Sequence, residues 1–228
     1  MEWIVQTFRS SIGRKVIMAL TGLFMCTFLV VHLIGNLQLL KADSGEAFNV
    51  YAKFMTSNPL IKIISYGNYA IILFHVFDGL FLTLANNAAR PVKYAYEQPK
   101  VGTSWSSRNM GILGTIILVF LVIHLKGFWY EMHFGDIKMV TYPSSEVIYK
   151  NLYEVVLVAF KQPWYVALYV LSMGAIGFHL VHGFASAFQS LGLHHSKYNT
   201  LIQTVGLAFA ILVPFAYAII PIYMWLLM

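Results

Sequence analysis

Acidic side chains are scarce: the 228 residues include 9 Asp and Glu, and charged residues of either sign reach only 11%. A soluble domain carries roughly a quarter charged residues, so a water-soluble globule is excluded. With 59% hydrophobic residues and a mean hydropathy of +0.69, the composition is that of a membrane protein. Cysteine is nearly absent. Cys26 stands alone, which excludes an internal disulfide and leaves the redox compartment unread. A long polar connection is missing as well, for the longest, between 131 and 162, is too short for a soluble domain with its own chemistry. The net charge of +6 does not imply nucleic acid, because the basic residues stand near the ends of apolar runs.

What is present is apolar length. A membrane-crossing helix needs about 20 residues, and five runs supply them, at about 16–40, 60–86, 109–130, 163–193 and 200–228. The expected fold is an all-α integral membrane protein with a single domain over 1–228. Arg9, Arg14 and Lys15 precede the first run, as in a signal peptide, but that run is too long and has no small-residue cleavage pattern, so it reads as a retained helix. Lys and Arg divide eight to seven between the two sides of such a topology. All four arginines (Arg9, Arg14, Arg90, Arg108) and the lysines Lys93 and Lys100 share the N-terminal side, which predicts an N-terminus inside. The segment 145–161, SEVIYKNLYEVVLVAFK, spaces its apolar residues as an interfacial helix would.

The first four runs each carry one deeply placed histidine: His32, His75, His124 and His179. Ionisable residues inside a membrane are expensive and face the protein interior. His32 lies 17 residues beyond Lys15, and His124 lies 16 beyond Arg108, which puts both roughly 25 Å along their helices. His75 is 11 residues from Asn86 and His179 is 12 from Leu191, about 17 Å from the inner end. Depth therefore sorts them into an outer pair and an inner pair.

Glycine sorts them again. His75 and His179, in FHVFDG and FHLVHG, are followed by Gly79 and Gly183 at the fourth position; His32 and His124 are followed by Gly35 and Gly127 at the third. Those positions share a face with the histidine, and glycine there clears room for a flat macrocycle. One buried histidine is as well explained by a packing hydrogen bond, but four paired twice over are not. Zinc fits poorly, since the two depths are too far apart for one ion. Histidines from facing helices hold haem in helical bundles, so the expectation is two stacked haem b groups in a bundle of the first four helices. His182, three residues after His179, remains an alternative ligand; aligned with Asp78, it otherwise stands where it meets that residue or a haem propionate.

The order of SSIGRK (10–15), TGLF (21–24), HLIGN (32–36), FHVFDG, NMGILG (109–114) leading to His124, and FHLVHGFASAFQSLG (178–192) resembles the single-subunit, five-helix dihaem cytochrome b anchors of succinate dehydrogenases and fumarate reductases. The resemblance spans nearly the whole chain. It implies a distal haem on His32 and His124, a proximal one on His75 and His179, and a flavoprotein and an iron–sulfur subunit docked on the inner face of the cytoplasmic membrane. It also implies electrons exchanged with a membrane quinone, menaquinone before ubiquinone, and allows the whole complex to form higher oligomers. The dicarboxylate chemistry then belongs to the partners.

Further expectations concern the surroundings of the haems. Arg14, Lys15, Trp105 and Arg108 flank the inner haem's end as propionate partners, or serve as membrane-interface anchors. In LLKADSGEAFNVYAKF (39–54), Glu46 is the loop carboxylate placed to take protons from a quinol, or a solvated loop acid. Each haem ligand is expected to give its second ring nitrogen to an oxygen one turn back on its own helix. The other readings are a dihaem subunit of a hydrogenase or formate dehydrogenase, and a transporter with a histidine proton relay. The last class shows broken helices or inverted repeats, and neither is found.

Overall fold

The computed structural model describes Gln6, residues 10–89 and residues 104–228. Arg9, Arg90, Lys93 and Lys100, which enter the charge count across the membrane, lie outside the described residues. Five helical segments are long and apolar enough to cross a membrane: Ser11–Leu40, Pro59–Ala88, Met110–Phe134, Pro163–Ser190 and Ser196–Leu227. The protein is a multi-pass membrane protein.

The first span is α1 (Ser11–Asn36), continued by a 3-10 turn, Leu37–Leu40. It begins five residues before the apolar run does. Ser10 caps it by accepting the Gly13 N–H at 3.0 Å, so the helix carries Arg14 and Lys15 in its first polar turn. A short helix, α2 (Glu46–Ser57), follows, entered through Ser44 and Gly45 with positive φ of 56° and 84°. The second span, α3 (Pro59–Ala88), starts where Asn58 caps the N–H groups of Leu60 and Ile61 and Pro59 occupies the first helical position. After α4 (Trp105–Arg108), the third span runs through α5 (Met110–His124), a π turn (Leu125–Tyr130) and α6 (Glu131–Phe134). The fourth and fifth are α8 (Pro163–Ser190) and α9 (Ser196–Leu227), the latter with Pro214 and Pro221 buried inside it.

The contacts between spans are specific. α1 packs against α3, α3 against α5, α5 against α8, and α8 against α1; α9 lies against α8 and α1. The core gathers at the end away from the N-terminus, around Leu39, Phe120, Phe160, Tyr169, Ile220 and Met224. Helix α3, by contrast, buries only Asn68 of its thirty residues.

Between the third and fourth spans, the expected interfacial helix over 145–161 is corrected. β1 (Met139–Tyr142) and β2 (Ser145–Lys150) form an antiparallel hairpin, and only α7 (Leu152–Phe160) is helical. SEVIYK is rich in β-branched and aromatic residues, and MVTY lies within one turn to pair with it. Asn151 then caps α7 by accepting the Glu154 N–H. Hairpin, α2 and α7 are tied through Asn49, which is 1% exposed. Its amide donates to the Tyr142 hydroxyl (2.7 Å) and Asn151 Oδ1 (3.2 Å), and its oxygen accepts the Tyr153 N–H (3.0 Å).

Candidate functional site

The four span histidines meet in twos. The rings of His32 and His124 have centres 5.9 Å apart, and those of His75 and His179 have centres 6.3 Å apart. Two imidazoles bound to one metal from opposite sides, at about 2 Å each, set their ring centres roughly 6 Å apart. The interplanar angles of 86° and 65° are those of rings rotated about a common axis. Among the described residues no three His, Cys, Asp or Glu side chains gather around a bare ion.

Which ring nitrogen is free follows from the hydroxyls. The Thr21 hydroxyl gives its proton to backbone oxygens of its own helix, Ile17 at 2.8 Å and Met18 at 3.1 Å. Its oxygen, 3.0 Å from His75 Nδ1, is then free to accept from the Nδ1–H tautomer, the one in which Nε2 keeps its lone pair. On the other pair, His124 Nδ1 is 3.1 Å from the Tyr169 hydroxyl. Both orienting oxygens lie on facing helices, which corrects the expectation that they come from a turn of the ligand's own helix. His179 Nδ1 is buried without a hydrogen-bond partner, a state that buried polar atoms rarely keep unless a ligand or water takes them.

The glycines divide. A Cβ on Gly183 would meet nothing within 4 Å, and one on Gly79 would find only Met18 Cε at 3.5 Å, so both keep open the face they share with their histidine. A Cβ on Gly35 would lie 2.5 Å from the Tyr51 ring, and one on Gly127 would lie 2.5 Å from the Tyr165 hydroxyl. These two glycines admit tyrosines, where the sequence suggested room for a macrocycle. A Cβ on Gly22 would make ordinary contact with His75 Cε1, at 3.5 Å.

At the N-terminal end, Arg14 pairs with Asp78 at 3.7 Å and lies over the Phe81 ring, 3.4 Å from its centre. A cavity of about 270 Å³ opens between them and Ile17, Phe74 and Phe77, and Asp78 Oδ2 is buried there without a partner. No hydrogen bond or ion pair among the described residues joins His182 to Asp78. His182 stays half-buried on α8, one turn beyond His179. Trp105 packs edge-on against Phe178, the neighbour of His179, at 5.5 Å, while Lys15 and Arg108 are exposed.

Glu46 stands in the first turn of α2, not in a loop, and its carboxylate accepts the Ser144 hydroxyl of the hairpin turn. Three other carboxylates are more heavily engaged. Asp43 accepts two backbone N–H groups, Glu131 pairs with Lys126 at 2.6 Å, and Glu154 pairs with Lys138 at 2.8 Å.

Sequence reasoning missed Tyr165 and Tyr169. Their spacing of four residues on α8, YVALY, is the one available signal, and it does not say what they face. Thr21 was legible only as part of TGLF. Comparison of the chain with protein-family models, with curated proteins and with solved structures finds no match in any of the three.

Proposed function

We propose that this protein is the membrane anchor and electron-transfer subunit of a succinate:quinone oxidoreductase, a five-helix cytochrome b holding two haem b groups. The observation that carries the reading is the meeting of four histidines from four spans as two pairs, at the ring separation that one shared iron requires. The order of SSIGRK, TGLF, HLIGN, FHVFDG and FHLVHG supports the choice of this complex over other dihaem cytochromes. The ring of contacts through α1, α3, α5 and α8 is then the haem-binding four-helix bundle.

Haem, when bound, would supply one-electron transfer. His75 and His179 would hold one group, His32 and His124 the other. Thr21 fixes the tautomer of His75. Arg14, stacked on Phe81 beside Asp78, would serve a propionate of the inner group, with Lys15, Trp105, Arg108 and His182 as its further partners. With the N-terminus on the cytoplasmic side of the inner membrane, the flavoprotein and iron–sulfur subunits dock against that same end, and electrons cross toward His32 and His124.

The quinone, menaquinone by family resemblance, is placed beside the outer pair, with Glu46 as the group that takes protons from a quinol. Glu46 accepts a neutral hydroxyl, that of Ser144, whereas Glu131 and Glu154 are paired with lysines and Asp43 accepts two backbone N–H groups. Glu46→Gln is expected to slow quinone-coupled turnover of the complex about 10²-fold or more while leaving two haems bound. Steady-state assay with a haem count reads both, and unchanged turnover removes Glu46 from the site.

Purification in mild detergent tests the whole reading. The expected result is a reduced-minus-oxidised spectrum with b-type bands, two haems per chain, and a co-purifying flavoprotein and iron–sulfur subunit. A colourless preparation overturns it; two haems with hydrogenase or formate dehydrogenase partners would move the chain to that class.

A further inference from the structure

Tyr165 and Tyr169 are 8% and 7% exposed, sit one turn apart on α8, and have their hydroxyls 3.3 Å from each other. Tyr169 reaches on to His124 Nδ1 at 3.1 Å. We propose that Tyr169, backed by Tyr165, is a positioning residue that holds His124 as an electron-rich ligand and so lowers the reduction potential of the iron bound by His32 and His124. The inference rests on the dihaem reading of that pair.

The direction of the chain follows from donor counting. If Nε2 of His124 faces a metal, Nδ1 carries the hydrogen and donates it to the Tyr169 oxygen. Tyr169 then has its own hydroxyl proton to place, and the Tyr165 oxygen is the acceptor within reach. By donating to Tyr165, the Tyr169 oxygen becomes a better acceptor for His124, and the setting strengthens both bonds because it is apolar. Phe120, Phe128 and Phe160 pack around Tyr169 with ring centres 4.9, 6.1 and 5.0 Å away.

The backbone is shaped to admit this chain. Immediately after His124 the helix loosens into the π turn, and Gly127 within it leaves the space in which the Tyr165 hydroxyl sits; a Cβ there would be 2.5 Å from that oxygen. Such π turns inside α-helices are frequent at functional sites. A hydrogen bond accepted from Nδ1–H raises the basicity of the ring, which favours the more positive, ferric state of the bound iron. The other histidines are placed differently. His75 gives its hydrogen to Thr21, and among the described residues His32 has no hydrogen bond to its ring, which stacks on Phe28 with centres 5.2 Å apart.

The test is an optical redox titration of the whole complex that resolves two b-type components, the relevant one identified by its absence in His32→Ala. In Tyr169→Phe that component is expected at higher potential, with the other unmoved and two haems still bound. Tyr165→Phe keeps the phenol on His124 but removes its acceptor, so a smaller shift in the same direction is expected. If Tyr169→Phe loses the haem, Tyr165→Phe alone decides. Unmoved potentials overturn the proposal, as does an equal shift of both components, which would report general loosening. A wild-type complex without b-type haem refutes the dihaem reading instead.

Discussion

His75→Ala and His179→Ala are each expected to leave one haem where the wild-type complex binds two, and to abolish electron transfer from succinate to quinone. Removing an outer hydrogen-bond partner of a metal-bound histidine alone lowers metal affinity about 10- to 100-fold, and loss of the ligand itself exceeds that. The same experiment resolves the choice between His179 and His182. The ring of His179 faces that of His75 at 6.3 Å, whereas no ring contact among the described residues joins His182 to His75. His182→Ala should therefore keep both haems, and a pyridine haemochrome count on the two variants reads the difference directly. Two haems retained in His179→Ala would transfer the ligand role to His182.

The second large effect lies away from the histidines. Asn49→Leu keeps the branched shape of a side chain that is 1% exposed, but it strands the Tyr142 hydroxyl and the Tyr153 N–H, while the Asn151 side-chain oxygen keeps only the Glu154 N–H. A lost hydrogen bond that leaves a buried partner unpaired costs about 1–3 kcal/mol, so the two together are expected to weaken the hairpin–α2–α7 layer by about 3–5 kcal/mol. Since 1.4 kcal/mol is about tenfold in an opening equilibrium, amide exchange over Leu152–Phe160 should accelerate by about 10²-fold or more. Exchange at the wild-type rate would show that the layer is held by the packing of Val156 and Phe160 alone.

The spans were legible because apolar length is a strong signal: 60–86 became Pro59–Ala88, and 200–228 became Ser196–Leu227. Their polar ends were less so, since Arg14 and Lys15 belong to α1 by virtue of the Ser10 cap and not by hydropathy. The layer opposite the N-terminus was misread. Over six residues, SEVIYK satisfies a helical and an alternating pattern about equally, and its strand partner MVTY is identified by pairing alone. α2 was overlooked because it begins at a left-handed Gly45 and is half polar. Depth along each helix placed His32 with His124 and His75 with His179, and these are the rings that lie side by side. The oxygens that orient His75 and His124 come from other helices, 54 and 45 residues away in the chain, where no local spacing can reveal them.

That separation has a consequence for biogenesis. α1 holds the hydroxyl that α3 needs, and α8 holds the phenol that α5 needs. A nascent chain that has inserted only one helix of either couple therefore presents an imidazole free to adopt either tautomer. On the dihaem reading, cofactor capture would wait until the later helix of each couple has left the ribosome and settled beside its mate. Completion of both histidine pairs awaits α8, which supplies His179 to one and Tyr169 to the other.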